Sequence, residues 1–329
     1  MRFDCTVLRN FRNFEELKVN WSSGINLILG SNGSGKTNLL EALSVLSGWG
    51  AFARTSSLVS WSRGGRAYVS AKVSGEESFS VTAEISSRVS LRLNEKTISF
   101  TDLRLSLPSM IFLTGNLSLI DGSPSSRRLF VDRLCALFVP PFAKRLADFK
   151  TVNKKRSILL RQGKISPSIE NDFCKLGGWL MDIRREVVRQ MKTESFTLKF
   201  LPEVDGNCES YLSELTNANR QREIYAQRSL FGPNYDDMSI TVSNRPASEA
   251  LSRGQKRRLI LRMIITAGRL IEMRLKRLPV LLLDDLTAEL DAQGREWVFG
   301  EINSTKWQAF VTAPEKPFTA RRKFGGINL

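Results

Sequence analysis

Gly30-Ser31-Asn32-Gly33-Ser34-Gly35-Lys36-Thr37 decides how this chain reads. The apolar run Ile25-Asn26-Leu27-Ile28-Leu29 leads into it, and Asn38-Leu39-Leu40-Glu41-Ala42-Leu43 leaves it with helical spacing. The stretch is Gly-x-x-x-x-Gly-Lys-Ser/Thr in a strand, turn and helix setting. Glycines let the backbone wrap a phosphate chain, Lys36 reaches its outer oxygens, and Thr37 offers a hydroxyl to Mg²⁺. A helix start near Gly35 adds exposed amides and a favourable dipole end. The plain alternative, a glycine-rich turn with a chance lysine, explains neither the strand nor the helix. Gly30 through Thr37 are therefore expected to bind a nucleotide.

Upstream, residues 3–9 and 17–20 have strand patterns, with the arginine-bearing loop 9–14 between them. Those arginines face phosphate, DNA or solvent on this reading. Downstream, Gly48-Trp49-Gly50 ends the helix and Ala53-Arg54-Thr55-Ser56 makes a basic turn. Arg54 reaches a nucleotide or a second subunit, or is a surface arginine. Residues 66–73, 78–85 and 88–93 alternate apolar with polar side chains and predict a small antiparallel sheet. Residues 107–113 then turn into a buried strand.

The pattern changes at Asp121-Gly122-Ser123-Pro124-Ser125-Ser126. Ser125 or Ser126 caps a predicted helix with Phe130, Leu134, Leu137 and Phe138 on one face. Pro140 and Pro141 interrupt it, and helical patterns resume at about 142–160 and 168–192. Residues 127–192 hold 16 Lys or Arg against 6 Asp or Glu, a net of +10. Arg127, Arg128, Lys144, Arg145, Lys154, Lys155 and Arg156 are candidates to track a DNA backbone, a solvated helical face being the alternative. No aromatic platform at single-strand spacing is evident, which favours duplex or junction backbone contact over base stacking. Residues 193–230 are less legible. The turn from Phe231 to Met238 and the strand 239–242 are read as the return to the nucleotide domain. Asp236 and Asp237 lie near metal or DNA, or face water.

Leu251-Ser252-Arg253-Gly254-Gln255-Lys256-Arg257 is the next strong signal. Ser252 and Gly254 precede a long helix, roughly 255–276, so a hydroxyl and exposed amides can meet phosphate together. Pro279-Val280-Leu281-Leu282-Leu283-Asp284-Asp285 is a buried-strand pattern ending in two acids. Asp284 is placed to hold the Mg²⁺ and water shell, and Asp285 to polarise an attacking water. A strand-end turn without chemistry is the rival, stronger for Asp285 than for Asp284. Leu286-Thr287-Ala288-Glu289-Leu290-Asp291 follows and reads as a loop along a dimer interface, where Asp291 orients the opposing site. Residues 307–313 form another core strand, with Thr312 at its end as a γ-phosphate sensor or an ordinary strand threonine. The tail Arg321-Arg322-Lys323 is basic.

Across 329 residues there are 49 Lys or Arg, 33 Asp or Glu and no histidine, a net of +16. A polyanionic partner, nucleic acid before membrane, fits that balance. Histidine metal ligands and His-based triads are excluded. Cys5, Cys135, Cys174 and Cys208 are too dispersed for a cluster and read as free thiols. With neither a signal core nor a long apolar run, a soluble cytoplasmic protein is expected.

These motifs together resemble the RecF family of bacterial ATPases, relatives of ABC, SMC and Rad50 heads. The resemblance rests on 30–42, on Asp121-Gly122-Ser123-Pro124 before Arg127, Arg128 and Asp132, on Gly232-Pro233 with Asp236-Asp237, on 252–255, and on Leu281 to Asp291. It implies an α/β, ABC-like P-loop head, split as 1–114 and 231–329, with an inserted, mostly helical, basic lobe at 115–230. It implies ATP and Mg²⁺, an ATP-dependent homodimer on DNA, slow hydrolysis, and the mediator partners RecR and RecO. ATP would lie between Lys36 of one copy and Ser252, Gly254 and Gln255 of the other. The chain departs from the family at Thr114-Gly115-Asn116, where an acidic stretch is typical, and at Asn234-Tyr235, in place of His-Arg. Two other readings stay open. One is a nucleotide-gated scaffold with negligible turnover; the other, a transporter ATPase subunit, is disfavoured by the basic insertion.

Overall fold

The computed structural model of the chain describes residues 1–52, 57–59, 65–113, 117–191, 193–287, 290–314 and 325–329. The expected features at Ala53–Ser56, Thr114–Asn116, Ala288–Glu289 and Arg321–Lys323 lie outside the described residues. The chain divides into two compact units, Met1–Asn116 with Arg253–Leu329, and Leu117–Ser252.

The first unit is built on two sheets. One is five-stranded and parallel, in the order β14 (Gly325–Asn328), β3 (Ile25–Leu29), β13 (Ala309–Ala313), β12 (Val280–Leu283), β8 (Ser109–Phe112). Every residue of β8, β12 and β13 is buried. Parallel strands covered on both faces read as unbroken apolar runs, which is why Val-Leu-Leu-Leu was legible. The other sheet is antiparallel, in the order β2 (Phe14–Asn20), β1 (Arg2–Phe11), β4 (Ala67–Ser74), β5 (Phe79–Ile85), β6 (Val89–Leu93), β7 (Lys96–Thr97). In β4 burial alternates residue by residue, the mark of a sheet with one solvated face. Helix α1 (Lys36–Leu46) contacts β4 and β5 of one sheet and β12 and β13 of the other. Leu39, Leu40 and Leu43 on it are fully buried with Phe3, Leu8 and Val69. The phosphate-loop helix is thus the packing centre of this unit. Helices α2 (Phe100–Ser106), α10 (Arg253–Leu275) and α11 (Ala292–Ser304) complete it.

The second unit is mostly helical: α3 (Ser118–Asp121), α4 (Pro124–Phe138), α5 (Phe142–Arg161), α6 (Pro167–Gln190), α7 (Cys208–Ala218), α8 (Arg220–Ala226) and α9 (Ala247–Ala250). Helix α4 starts two or three residues before the expected serine caps, at Pro124 with Ser123 as N-cap. Proline suits the first helical position because its missing N–H is not needed there. Helix α6 packs on α4, α5, α7 and β9 (Thr197–Leu201). Gly178 allows α7 to come close, since a Cβ there would meet the Glu209 backbone at 2.4 Å.

The strand expected to return the chain to the nucleotide domain does something else. It is β10 (Asp237–Val242), and it lies between β9 and β11 (Arg245–Pro246) in a three-stranded antiparallel sheet of the second unit. The return comes at Arg253 and not at 231. The alternating Met238 and Ile240 need a sheet partner, and β9 provides one from the stretch whose periodicity was unread. Among the described residues no helix is long and apolar enough to cross a membrane. None of the four cysteines is in a disulfide, and no group of three potential metal-binding side chains among Cys, Asp and Glu is present in the described residues.

Candidate nucleotide site and basic lobe surface

The loop after β3 turns into α1 through Gly35, which is left-handed at φ 106°. A Cβ there would lie 2.5 Å from the Asn13 side chain, so both backbone and space require glycine. Asn13 comes from the β1–β2 turn. Its amide donates to the Ser34 carbonyl at 3.1 Å, and its oxygen accepts from Asn38 at 2.8 Å. Asn13 therefore braces the loop from outside, a role no periodicity in the sequence announces. Arg12 beside it does not point to phosphate. It pairs with Glu41 at 2.7 Å and donates to the Ser57 carbonyl at 2.9 Å. Glu41, buried in α1, also accepts the Phe52 N–H at 2.7 Å.

A cleft of about 240 Å³ gathers Asn32, Gly33, Gly35, Lys36, Thr37, Asp284, Asp285 and Thr312. Lys36 Nζ donates to the carbonyls of Gly30 at 2.7 Å and Ser31 at 2.8 Å. Thr37 Oγ1 lies 3.1 Å from both carboxylate oxygens of Asp284. Thr312 Oγ1 donates to Asp284 Oδ1 at 2.8 Å and accepts the Asp285 N–H at 2.8 Å. Asp285 is left-handed, at φ 52°. Its carbonyl accepts from Arg257, buried in α10, at 2.8 Å. The backbone of Asp285 is thus gripped at both ends in a conformation unusual for a non-glycine residue. A hydroxyl and a carboxylate converging beside a loop amide cradle form a hard-oxygen donor set that fits Mg²⁺ with phosphate.

Gly254, Gln255 and Asp291 do not line this cleft. Gly254 opens α10 facing Leu290, 3.6 Å from where a Cβ would sit. Asp291 caps α11, accepting the Gly294 N–H at 2.6 Å, and approaches Arg258 at 3.8 Å. Ser252, the last residue of the second unit, is exposed.

In the second unit the candidate phosphate contacts separate into two groups. Arg127 is bidentate to Asp237, at 2.6 and 3.0 Å. Arg128 donates to the Asp236 carbonyl at 2.7 Å. Arg184 grips Asp132 at 2.8 and 3.1 Å, Asp236 at 2.8 Å and the Pro233 carbonyl at 2.6 Å. The Arg-Arg and Asp-Asp motifs of the sequence are therefore one ion network tying α4, α6 and β10 together. Burial, opposed by Arg184, pushes Asp236 up to about 6, and its Oδ1 is buried without a hydrogen bond. Arg156 is 2% exposed. It donates to Glu170 at 2.8 Å, to Ser229 at 2.9 Å and to Glu223. These contacts correct the DNA assignment of Arg127 and Arg156, whose guanidinium groups are held by carboxylates inside the unit. Asp236 is buried and Asp237 half-buried, and both are held by arginines of the same unit. Lys144, Arg145, Lys154 and Lys155 are exposed, and Arg145 lies over Trp179 at 4.3 Å. Lys150 and Arg161, absent from the expected set, are exposed on the same helix.

The phosphate loop on a parallel sheet, the acidic strand end beside Thr37 and the inserted helical unit define an ABC-type ATPase head of the SMC kind. The chain matches the RecF/RecN/SMC N-terminal domain model over residues 4–324. It belongs to that family, and within it to RecF. It is 30% identical to the DNA replication and repair protein RecF of Leptospira interrogans, covering 94% of this chain and 90% of that one. Identity to the protein of the same name from Heliobacterium modesticaldum is 28%, over 95% and 92%. A solved structure described as the recombination mediator protein RecF-ATPrS in the RecFOR pathway superposes with a TM-score of 0.86. It is 20% identical, with 100% of this chain and 96% of that chain covered, and shares the fold.

Proposed function

We propose that this protein is an ATP-dependent DNA-binding protein of recombinational repair and replication restart. Two copies close around ATP on DNA, hydrolyse it slowly to reset, and help load a recombinase at gaps through RecR and RecO. The observation that carries this reading is the convergence of Thr37, Asp284, Thr312 and Asp285 beside Lys36.

Lys36 leaves the two loop carbonyls for the outer phosphate oxygens, while the amides of 33–37 take the inner ones. Thr37 and Asp284 would hold Mg²⁺, which would supply neutralisation of the phosphate charge. Thr312 orients the Asp284 carboxylate through Oδ1, and Oδ2 lies beside the Thr37 hydroxyl, the two groups that would face the metal together. Asp285 accepts a proton from the attacking water, its backbone held by Thr312 and Arg257. Ser252, Gly254 and Gln255 of the second copy cover the γ-phosphate, and Asp291 lies on the facing loop. Loss of that phosphate removes the bond between copies, so hydrolysis opens the clamp. Exposed lysines of α5 follow the DNA backbone.

Sedimentation with gapped duplex DNA tests this, with and without ATP, for the wild type, Lys36→Met and Ser252→Arg. The expected outcome is an ATP-dependent dimer on DNA that both substitutions abolish. DNA binding indifferent to ATP, or none at low salt, overturns it.

A further inference from the structure

Tyr225, in α8, is 92% exposed. Arg220, Gln221, Arg222, Gln227 and Arg228 around it in sequence are exposed as well. Gln221 and Arg222 stand four and three residues before Tyr225 and so share its side of the helix. The one acid of α8, Glu223, is turned inward and fully buried. There it accepts from Arg156 and from the Leu230 N–H. A second tie follows α8, where Ser229 donates to Asn153 at 2.7 Å and accepts from Arg156 at 2.9 Å. Both Asn153 and Arg156 belong to α5, and the exposed Lys154 and Lys155 lie between them. The short helix is thus clamped to the basic helix at two points, and its outward charge is cationic only.

An outward aromatic ring among cations, on a helix clamped at two points, matches a polyanion whose units carry free flat faces. Duplex DNA keeps its base faces stacked inside; a single strand does not. We propose that Tyr225 is a stacking platform for an unpaired base of single-stranded DNA, beside the backbone followed by α5. Arg156 builds that platform and does not touch the DNA. The inference rests on the DNA-binding reading of the lobe and adds a preference for gaps over intact duplex.

The test is equilibrium binding of the full-length protein to three DNAs: duplex, the same duplex with a gap, and a single strand. Both of the latter carry 2-aminopurine in the unpaired segment. Tyr225→Ala is expected to weaken gapped and single-stranded binding about tenfold, the size of one base–aromatic stack, with duplex binding unchanged. Tyr225→Phe keeps the ring and is expected to bind like the wild type. Quenching of 2-aminopurine is expected with wild type and Tyr225→Phe and absent with Tyr225→Ala. Equal binding by Tyr225→Ala and wild type to all three DNAs, or an equal loss on all three, overturns the inference. Tyr225-dependent single-strand binding without any ATP response supports it while the clamp reading fails.

Discussion

Thr312 serves two neighbours with one hydroxyl, donating to Asp284 and accepting the Asp285 N–H. Removing it takes one of two hydroxyl donors from the buried Asp284 Oδ1, leaving Thr37, and takes the hydroxyl acceptor from the Asp285 N–H, at a cost of about 1–3 kcal/mol. Thr312→Val is therefore expected to lower ATP turnover about tenfold or more, with nucleotide affinity changed far less. Single-turnover kinetics beside equilibrium nucleotide binding reads the two separately. Asp236 behaves differently. Its carboxyl is raised from 3.8 to about 6 in the folded chain, so the native state holds more protons than the unfolded one between those values. Its contribution to stability is full below the unfolded pKa and is lost as pH rises through about 6. Comparing unfolding midpoints at pH 5 and 7.5, the drop on going to pH 7.5 is expected to be larger in the wild type than in Asp236→Asn.

At the scale of elements, Arg257 is the informative contact. It joins α10, the helix that begins with the Gly254-Gln255 signature, to the Asp285 carbonyl. Arg257→Met keeps most of the packing and removes the grip on Asp285. Turnover is expected to fall about tenfold, the size of one charged hydrogen bond, while ATP-dependent dimerisation persists. Arg257→Lys is expected to recover part of the rate, which a purely packing role would not predict. Helices α4, α5 and α6 were legible because their apolar faces repeat at helical period. Arg127 and Arg156 were misassigned from the same stretch for a plain reason. Periodicity identifies a polar face but not which arginine on it finds a carboxylate from a distant element; Asp237 lies 110 residues from Arg127.

For the whole molecule, the excess of positive charge is the quantity to test. With Arg127 and Arg156 held internally, the exposed cations of α5 carry the expectation. Lys150, Lys154 and Arg161 fall within an arc of about 40° along a helix about 30 Å long. Combined Lys150→Ala, Lys154→Ala and Arg161→Ala is expected to reduce the slope of log affinity against log salt for duplex DNA by about 3. A titration from low to moderate salt measures it, and Arg127→Ala should not mimic the result.

By itself the sequence determined the phosphate loop, the buried acidic strand, the signature helix and the alternating strands, because local spacing and turn chemistry specify each one. It also determined the family. Only the tertiary structure decided that β10 pairs with β9 and stays in the helical unit, and that Asn13 and Arg257 brace the nucleotide cleft. It likewise decided that the Arg-Arg and Asp-Asp motifs form an internal ion network, and that α8 holds Tyr225 outward. Each of these depends on a partner far away in sequence, and a charge or an amide carries no mark of its partner until folding brings the two together.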